Sequence, residues 1–154
     1  MLSKKKVLFK RLSWDEYFMR VADNIAKRSS CSRALVGAVL VVDNRIISHG
    51  YNGSVVGDEH CCDVGCIISN GHCVRVVHAE VNALLFAHRE FSSTDIVLYC
   101  THLPCFECAK LLVNFGVKRV VFRTYYHDNR AELLNYEDQI DFLAKFKVEV
   151  ERLP

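Results

Sequence analysis

A chain of 154 residues, just over half apolar and a quarter charged, fits one domain able to bury its own core. Its net charge of +2 lends little weight to a nucleic-acid binder, and no apolar run approaches the roughly 20 residues that span a bilayer. Lys4, Lys5, Lys6, Lys10 and Arg11 form the one dense basic cluster, with no long apolar segment behind it, so it reads as a solvated tail and a cytoplasmic location is expected. Eight cysteines are many for such a chain. Disulfides are rare in a reducing compartment, which makes metal ligation the better first reading.

Ser13-Trp14-Asp15-Glu16 is a capping box, and Trp14, Phe18, Val21, Ala22 and Ile25 mark one face of a helix ending near Ser29. Val36 to Val42 is a dense β-branched run. Asp43-Asn44 signals a turn and Arg45 to Ser48 resumes the strand pattern, giving a hairpin closed by Gly50-Tyr51-Asn52-Gly53. Residues 54–73 show no period, and a loop of that length is usually functional. A helix is expected from about His78 to His88 and a strand from Ile96 to Cys100, with Cys100 a small core residue. Pro104 suits the first turn of a helix through Phe115, and Gly116 stops it. Val117 to Arg123 is a strand, Leu133 to Phe146 weakly helical, and Val148 to Arg152 a last short strand.

This order implies an α/β fold, a three-layer α/β/α sandwich around a five-stranded mixed sheet. It is expected as a single domain over 1–154, with a cysteine-rich insert at about 54–75.

The chemistry is concentrated in four residues. Cys105 and Cys108 lie three apart at a helix start, so both thiols share one side and the positive helix end favours thiolates. His78 opens another helix and can supply a third ligand. Three protein ligands and one open position make a catalytic zinc site, where a bound water has its pKa lowered to about 7. Glu80, two residues past His78, can take that water's proton and return it. H-x-E followed by P-C-x-x-C is the described signature of zinc nucleobase deaminases. Either half alone is weak. A structural zinc clip with an incidental Glu80 and a redox-active C-x-x-C are the competing readings.

His78-Ala79-Glu80-Val81-Asn82-Ala83 and Pro104-Cys105-Phe106-Glu107-Cys108-Ala109-Lys110 resemble the cytidine/deoxycytidylate deaminase superfamily. Gly50-Tyr51-Asn52-Gly53 and the cysteines before His78 resemble its deoxycytidylate (dCMP) deaminases, including the late-competence-protein type and phage enzymes. The similarity runs from about Leu12 to about Tyr126. The resemblance implies conversion of dCMP and water to dUMP and ammonia, a step that feeds thymidylate synthesis. It implies a homohexamer, activation by dCTP (with Mg2+ accompanying that effector) and inhibition by dTTP. It makes His78, Cys105 and Cys108 zinc ligands and Glu80 the proton shuttle. It places Asn52 on the deoxyribose, the Ala79 backbone on the base, and Tyr126 on the phosphate, with Tyr125 as competitor. A phosphate also needs cations, and Arg33, Arg123, His127 and Arg130 are available.

Cys61, Cys66 and Cys73 have the look of a second, structural zinc site, which wants four closed ligands. The family resemblance adds Cys31 as the fourth, with Cys62 and His72 as alternates. The alternative functions are a deaminase of another nucleoside or nucleotide, and a DNA-uptake accessory protein that retains the fold. A tRNA deaminase, with a basic groove beside its zinc, is disfavoured by the balanced charge and by Glu132, Glu137, Asp138 and Asp141. No nucleic-acid or membrane partner is expected.

Overall fold

The computed structural model describes residues 9–88, 95–126 and 136–154. The cluster Lys4–Lys6, and His127, Arg130 and Glu132, lie outside these residues. Helix α1 (Trp14–Ala26) begins where the expected capping box closes: the Ser13 amide donates to Glu16 Oε2 at 2.8 Å and the Glu16 amide to Ser13 Oγ at 3.2 Å. Strand β1 (Gly37–Val42) is buried on both faces, as an unbroken apolar run should be. Asp43 and Asn44 turn the chain with φ of 49° and 58°, the left-handed pair that a two-residue hairpin needs. Strand β2 (Arg45–Tyr51) returns antiparallel and runs past Ser48, because His49, Gly50 and Tyr51 still pair with Val39, Ala38 and Gly37.

The stretch that lacks a sequence period is built of very short elements. These are β3 (Gly53–Ser54), α2 (Cys61–Val64), β4 (Ile68–Ser69), β5 (His72–Cys73) and β6 (Val76–Val77). Strands β4 and β5 form one small antiparallel pair, and β3 and β6 another. Elements of two to four residues are too short to show periodicity. The chain continues through α3 (Ala79–Leu85), β7 (Ile96–His102), α4 (Phe106–Phe115), β8 (Val117–Thr124), α5 (Tyr136–Lys145) and β9 (Glu149–Arg152). Helix α3 ends before His88, since the Ala87 amide turns back to the Leu84 carbonyl. The expected start of α5 at Leu133 lies outside the described residues.

The main sheet has five strands in the order β2-β1-β7-β8-β9. Strand β1 is antiparallel to both neighbours, whereas β7, β8 and β9 run parallel. Side chains alternate across it. Val39, Val41, Tyr99 and Val121 pack on Phe18, Met19 and Ala22 of α1. Ala38, Leu40, Leu98, Cys100 and Val120 face Ala79 and Ala83 of α3, Ala109 and Leu112 of α4, and Leu143 of α5. The result is the expected three-layer mixed-sheet sandwich, with Cys100 in its core. Among the described residues no helix is long and apolar enough to cross a membrane.

One ion-pair network clasps α1 to the sheet. Arg119 on β8 holds both Asp15 carboxylate oxygens, at 2.9 and 2.8 Å, and also reaches Glu151. The Tyr99 hydroxyl donates to Asp15 Oδ1 at 2.6 Å. Arg119 above all, with help from Tyr99, holds the Asp15 carboxyl below its ordinary value of 3.8. A lowered native pKa stabilises the fold fully above that ordinary value and loses the stabilisation as pH falls through the native one. Asp15→Asn is therefore expected to cost about 1–2 kcal/mol at neutral pH, discounted for partial exposure. Urea melts should show the gap to the parent chain closing below the ordinary aspartate range.

Candidate active site and cysteine cluster

The carboxyl end of β7 and the amino ends of α3 and α4 meet at a cavity of about 170 Å3. Open α/β sheets place ligands at such strand ends. His78 is the N-cap of α3 and Cys105 the N-cap of α4, and neither side chain caps its own helix. Both instead turn toward each other. His78 Nδ1 lies 3.5 Å from Cys105 Sγ and 3.4 Å from Cys108 Sγ. Cys108 is three residues past the cap, and N-cap and N3 side chains meet on one side of a helix end. This is why a C-x-x-C pair at a helix start forms half a metal site. A tetrahedral zinc with ordinary Zn–N and Zn–S bonds would separate such donors by about 3.6 Å. The observed N–S distances fit that edge, so the donor set suits zinc in both chemistry and spacing.

The same contacts shift the protonation of these groups in the metal-free chain. The hydrogen bond to Cys105 pushes His78 up to about 9. Cys105 is drawn down to about 4, first by its hydrogen bond with Cys108 and then by His78. Cys108, hydrogen-bonded to Cys105 and buried, is pushed up. Glu80 is only 5% exposed, and burial raises its carboxyl against the pull of His78. A buried carboxyl with a raised pKa can both accept and return a proton.

Local pairing explains the approach of the remaining residues. Strand β3 pairs with β6 as Gly53–Val77 and Ser54–Val76, so the next position in register sets Asn52 opposite His78. Asn82 Nδ2 donates to the Tyr51 carbonyl at 2.8 Å and fastens α3 to the same strand end. Asn52, Ala79, Arg33 and Tyr126 all line the cavity. The Asn52 amide holds the preceding loop: Oδ1 accepts from the Val36 amide and Nδ2 donates to the Ala34 carbonyl, both at 2.8 Å. Each of those atoms can make one further bond. Tyr126 faces His102, ring centroids 6.1 Å apart, while Tyr125 packs against Phe122 and Tyr136 under Arg152. Arg123 is drawn to Asp23 of α1 at 2.9 Å, on the opposite face.

Cys61, Cys66 and Cys73 are the second convergent set, their sulfurs all within 4.8 Å of one another. Cys61 and Cys73 lie 3.6 Å apart, close to the roughly 3.8 Å sulfur–sulfur edge of a zinc tetrahedron. Burial pushes the Cys61 thiol up to about 12. Cys31 is buried and lines the same cavity as Cys73, but it is not one of the three cysteines whose sulfurs converge. His72 is exposed and shares the cavity wall with Cys31 and Cys73. Cys62 is exposed, its thiol directed at Asp63. The cysteine cluster thus backs directly onto the main cavity. His102, Leu103, Tyr136 and Gln139 also line that cavity without having been singled out from sequence. The position of His102 at a parallel-strand carboxyl end was the available signal.

Residues 12–124 match the family described as the cytidine and deoxycytidylate deaminase zinc-binding region. The chain is similar to ComE operon protein 2 of Bacillus subtilis (strain 168), 44% identical over 117 residues, covering 75% of this chain and 62% of that protein. It is similar to the deoxycytidylate deaminase of Mycobacterium phage D29, 40% identical, covering 73% of this chain and 95% of the phage protein. Its backbone is similar to the dCMP deaminase of cyanophage S-TIM5 in complex with dCMP and dUMP, with a TM-score of 0.74, 33% identity, and coverage of 94% of this chain and 100% of the other. The chain spans 62% of the length of the Bacillus protein and 39% of two further relatives. The matched segment contains the whole His78, Glu80, Cys105 and Cys108 constellation, and the chain belongs to the cytidine and deoxycytidylate deaminase family.

Proposed function

We propose that this chain is a zinc-dependent dCMP deaminase that converts dCMP and water to dUMP and ammonia. The observation that carries the reading is the His78–Cys105–Cys108 triangle with buried Glu80 beside it, on the wall of one cavity. His78 Nδ1 and the two thiolates would hold the catalytic zinc. When bound, it supplies a water activated for attack near neutral pH. The Glu80 carboxylate accepts the proton of the attacking water. Glu80 gives that proton to the ring N3 as the C4–O bond forms, then takes the second proton from the new C4 hydroxyl and gives it to the amino group as the C4–N bond breaks. Ala79, fully buried at the first turn of α3, presents backbone to the base, Asn52 contacts the deoxyribose, and Arg33 and Tyr126 stand at the phosphate. The phage relatives, one a deoxycytidylate deaminase and one bound to dCMP and dUMP, support the nucleotide assignment.

A nucleoside 5′-monophosphate reading requires that the phosphate matter. Ammonia release from dCMP should exceed that from deoxycytidine by at least about 100-fold in kcat/KM, the worth of one or two charge-assisted contacts. Equal turnover of both would refute the monophosphate assignment.

Cys31, Cys61, Cys66 and Cys73 would hold a second, structural zinc, supported by the spacing of the Cys61, Cys66 and Cys73 sulfurs and by the lack of any long element in the insert, with Cys31 added by family resemblance. The gently purified chain is then expected to contain about two zinc ions. One zinc per chain, with the insert cysteines freely alkylated in the native state, would rule that out. The enzyme acts in the cytosol as a homohexamer, supplies dUMP for thymidylate synthesis, and responds to dCTP with Mg2+ as activator and to dTTP as inhibitor. These last assignments rest on family resemblance.

A further inference from the structure

Gln139 is an unexplained group in this cavity. It is only 8% exposed, it lines the same pocket as Glu80, and its side-chain oxygen has no hydrogen-bond partner among the described residues. Buried amide oxygens in folded proteins are nearly always bonded, so one without a partner, on a residue that lines a pocket, calls for a ligand. Its position is fixed from several sides. Tyr136, one turn earlier and also on the cavity wall, donates its hydroxyl to the Tyr126 carbonyl. Phe142, one turn later, meets Phe106 of α4 edge-on, with centroids 5.9 Å apart, and Leu143 is wholly buried in the core. The side chain is therefore anchored rather than swinging in solvent. It also lies beyond residue 124, where the family match ends.

We infer that Gln139 is a substrate-reading residue whose Oε1 accepts a hydrogen bond from the bound pyrimidine nucleotide. An amide oxygen can only accept, so the complementary group must be an N–H or O–H donor. The inference rests on the deaminase reading above, whose substrate offers two kinds of donor: the exocyclic amine and the sugar hydroxyl. The amine is lost in the reaction, so an acceptor facing it would act on kcat. The hydroxyl is remote from the reacting carbon, so an acceptor facing it would act on KM.

The test uses zinc-loaded full-length chain carrying Gln139→Leu, with Gln139→Met as a second apolar replacement of similar length. Because the oxygen bonds nothing among the described residues, neither variant should lower Tm, and kcat/KM for dCMP should fall about tenfold or more in both. A change in kcat/KM within twofold would overturn the inference. So would a Tm lowered by about 5 °C or more in both variants, the mark of a structural amide. Dideoxycytidine monophosphate, which lacks the 3′-hydroxyl, separates the donors. If the hydroxyl is read, the variants lose nothing further on it; if the amine is read, the full loss persists. Parent enzyme inactive on dCMP would remove the deaminase reading and this inference with it. Active parent enzyme with unaffected variants would remove this inference alone.

Discussion

Glu80→Ala is expected to abolish deamination, lowering kcat for dCMP by on the order of 10^4-fold, while the chain keeps its zinc. The separation of the two effects follows from the geometry. The metal donors are His78 Nδ1 and the sulfurs of Cys105 and Cys108, mutually close without any contribution from Glu80. Glu80 is buried beside them, and its carboxyl is raised by that burial. Removing a buried carboxyl that bears no metal should leave the donor triangle intact. Kinetics with metal analysis on the same sample checks both halves. Zinc lost together with activity would mean that Glu80 is a ligand; activity retained would mean that another group moves the proton.

The second large effect comes from a residue with no side chain. Gly50 lies where α3 crosses β2, and a Cβ there would sit 2.3 Å from the Ala79 carbonyl oxygen and 2.5 Å from the Ala83 nitrogen. Both are backbone atoms of the helix that carries Glu80, so the helix itself must move. Gly50→Ala should therefore cost about 1–3 kcal/mol of stability by overpacking. It should also reduce kcat/KM by about 100-fold, the scale of a 1 Å misplacement of catalytic groups. Gly37→Ala is the matched control. Its Cβ would come within 2.2 Å of the Ala22 oxygen, on α1 across the sheet from Glu80. Comparable melting shifts with a distinctly larger activity loss at Gly50 are expected. Equal activity losses would show that α3 placement is not what Gly50 protects.

What could be read from sequence was what the local chain determines. The H-x-E and P-C-x-x-C pieces announce themselves because their donors sit at helix starts, where N-cap and N3 positions meet. Asp43-Asn44 was legible as a turn because its two left-handed residues are a local requirement. Non-local choices were not legible. Arg123 was a candidate for phosphate until Asp23, 100 residues earlier, proved to hold it. That the Asn52 amide also ties down Ala34 and Val36 had no sequence signal. Gln139 gave no signal, since only tertiary packing brings α5 to the cavity. The insert resisted periodicity analysis because its order comes from two-residue strands and a cluster of sulfurs.

The most direct test of the central claim is product analysis on the zinc-loaded chain with dCMP as sole substrate. The account predicts dUMP and ammonia in equal amounts, with none formed by Glu80→Ala. Unchanged dCMP after prolonged incubation with fully zinc-loaded, folded protein would contradict it.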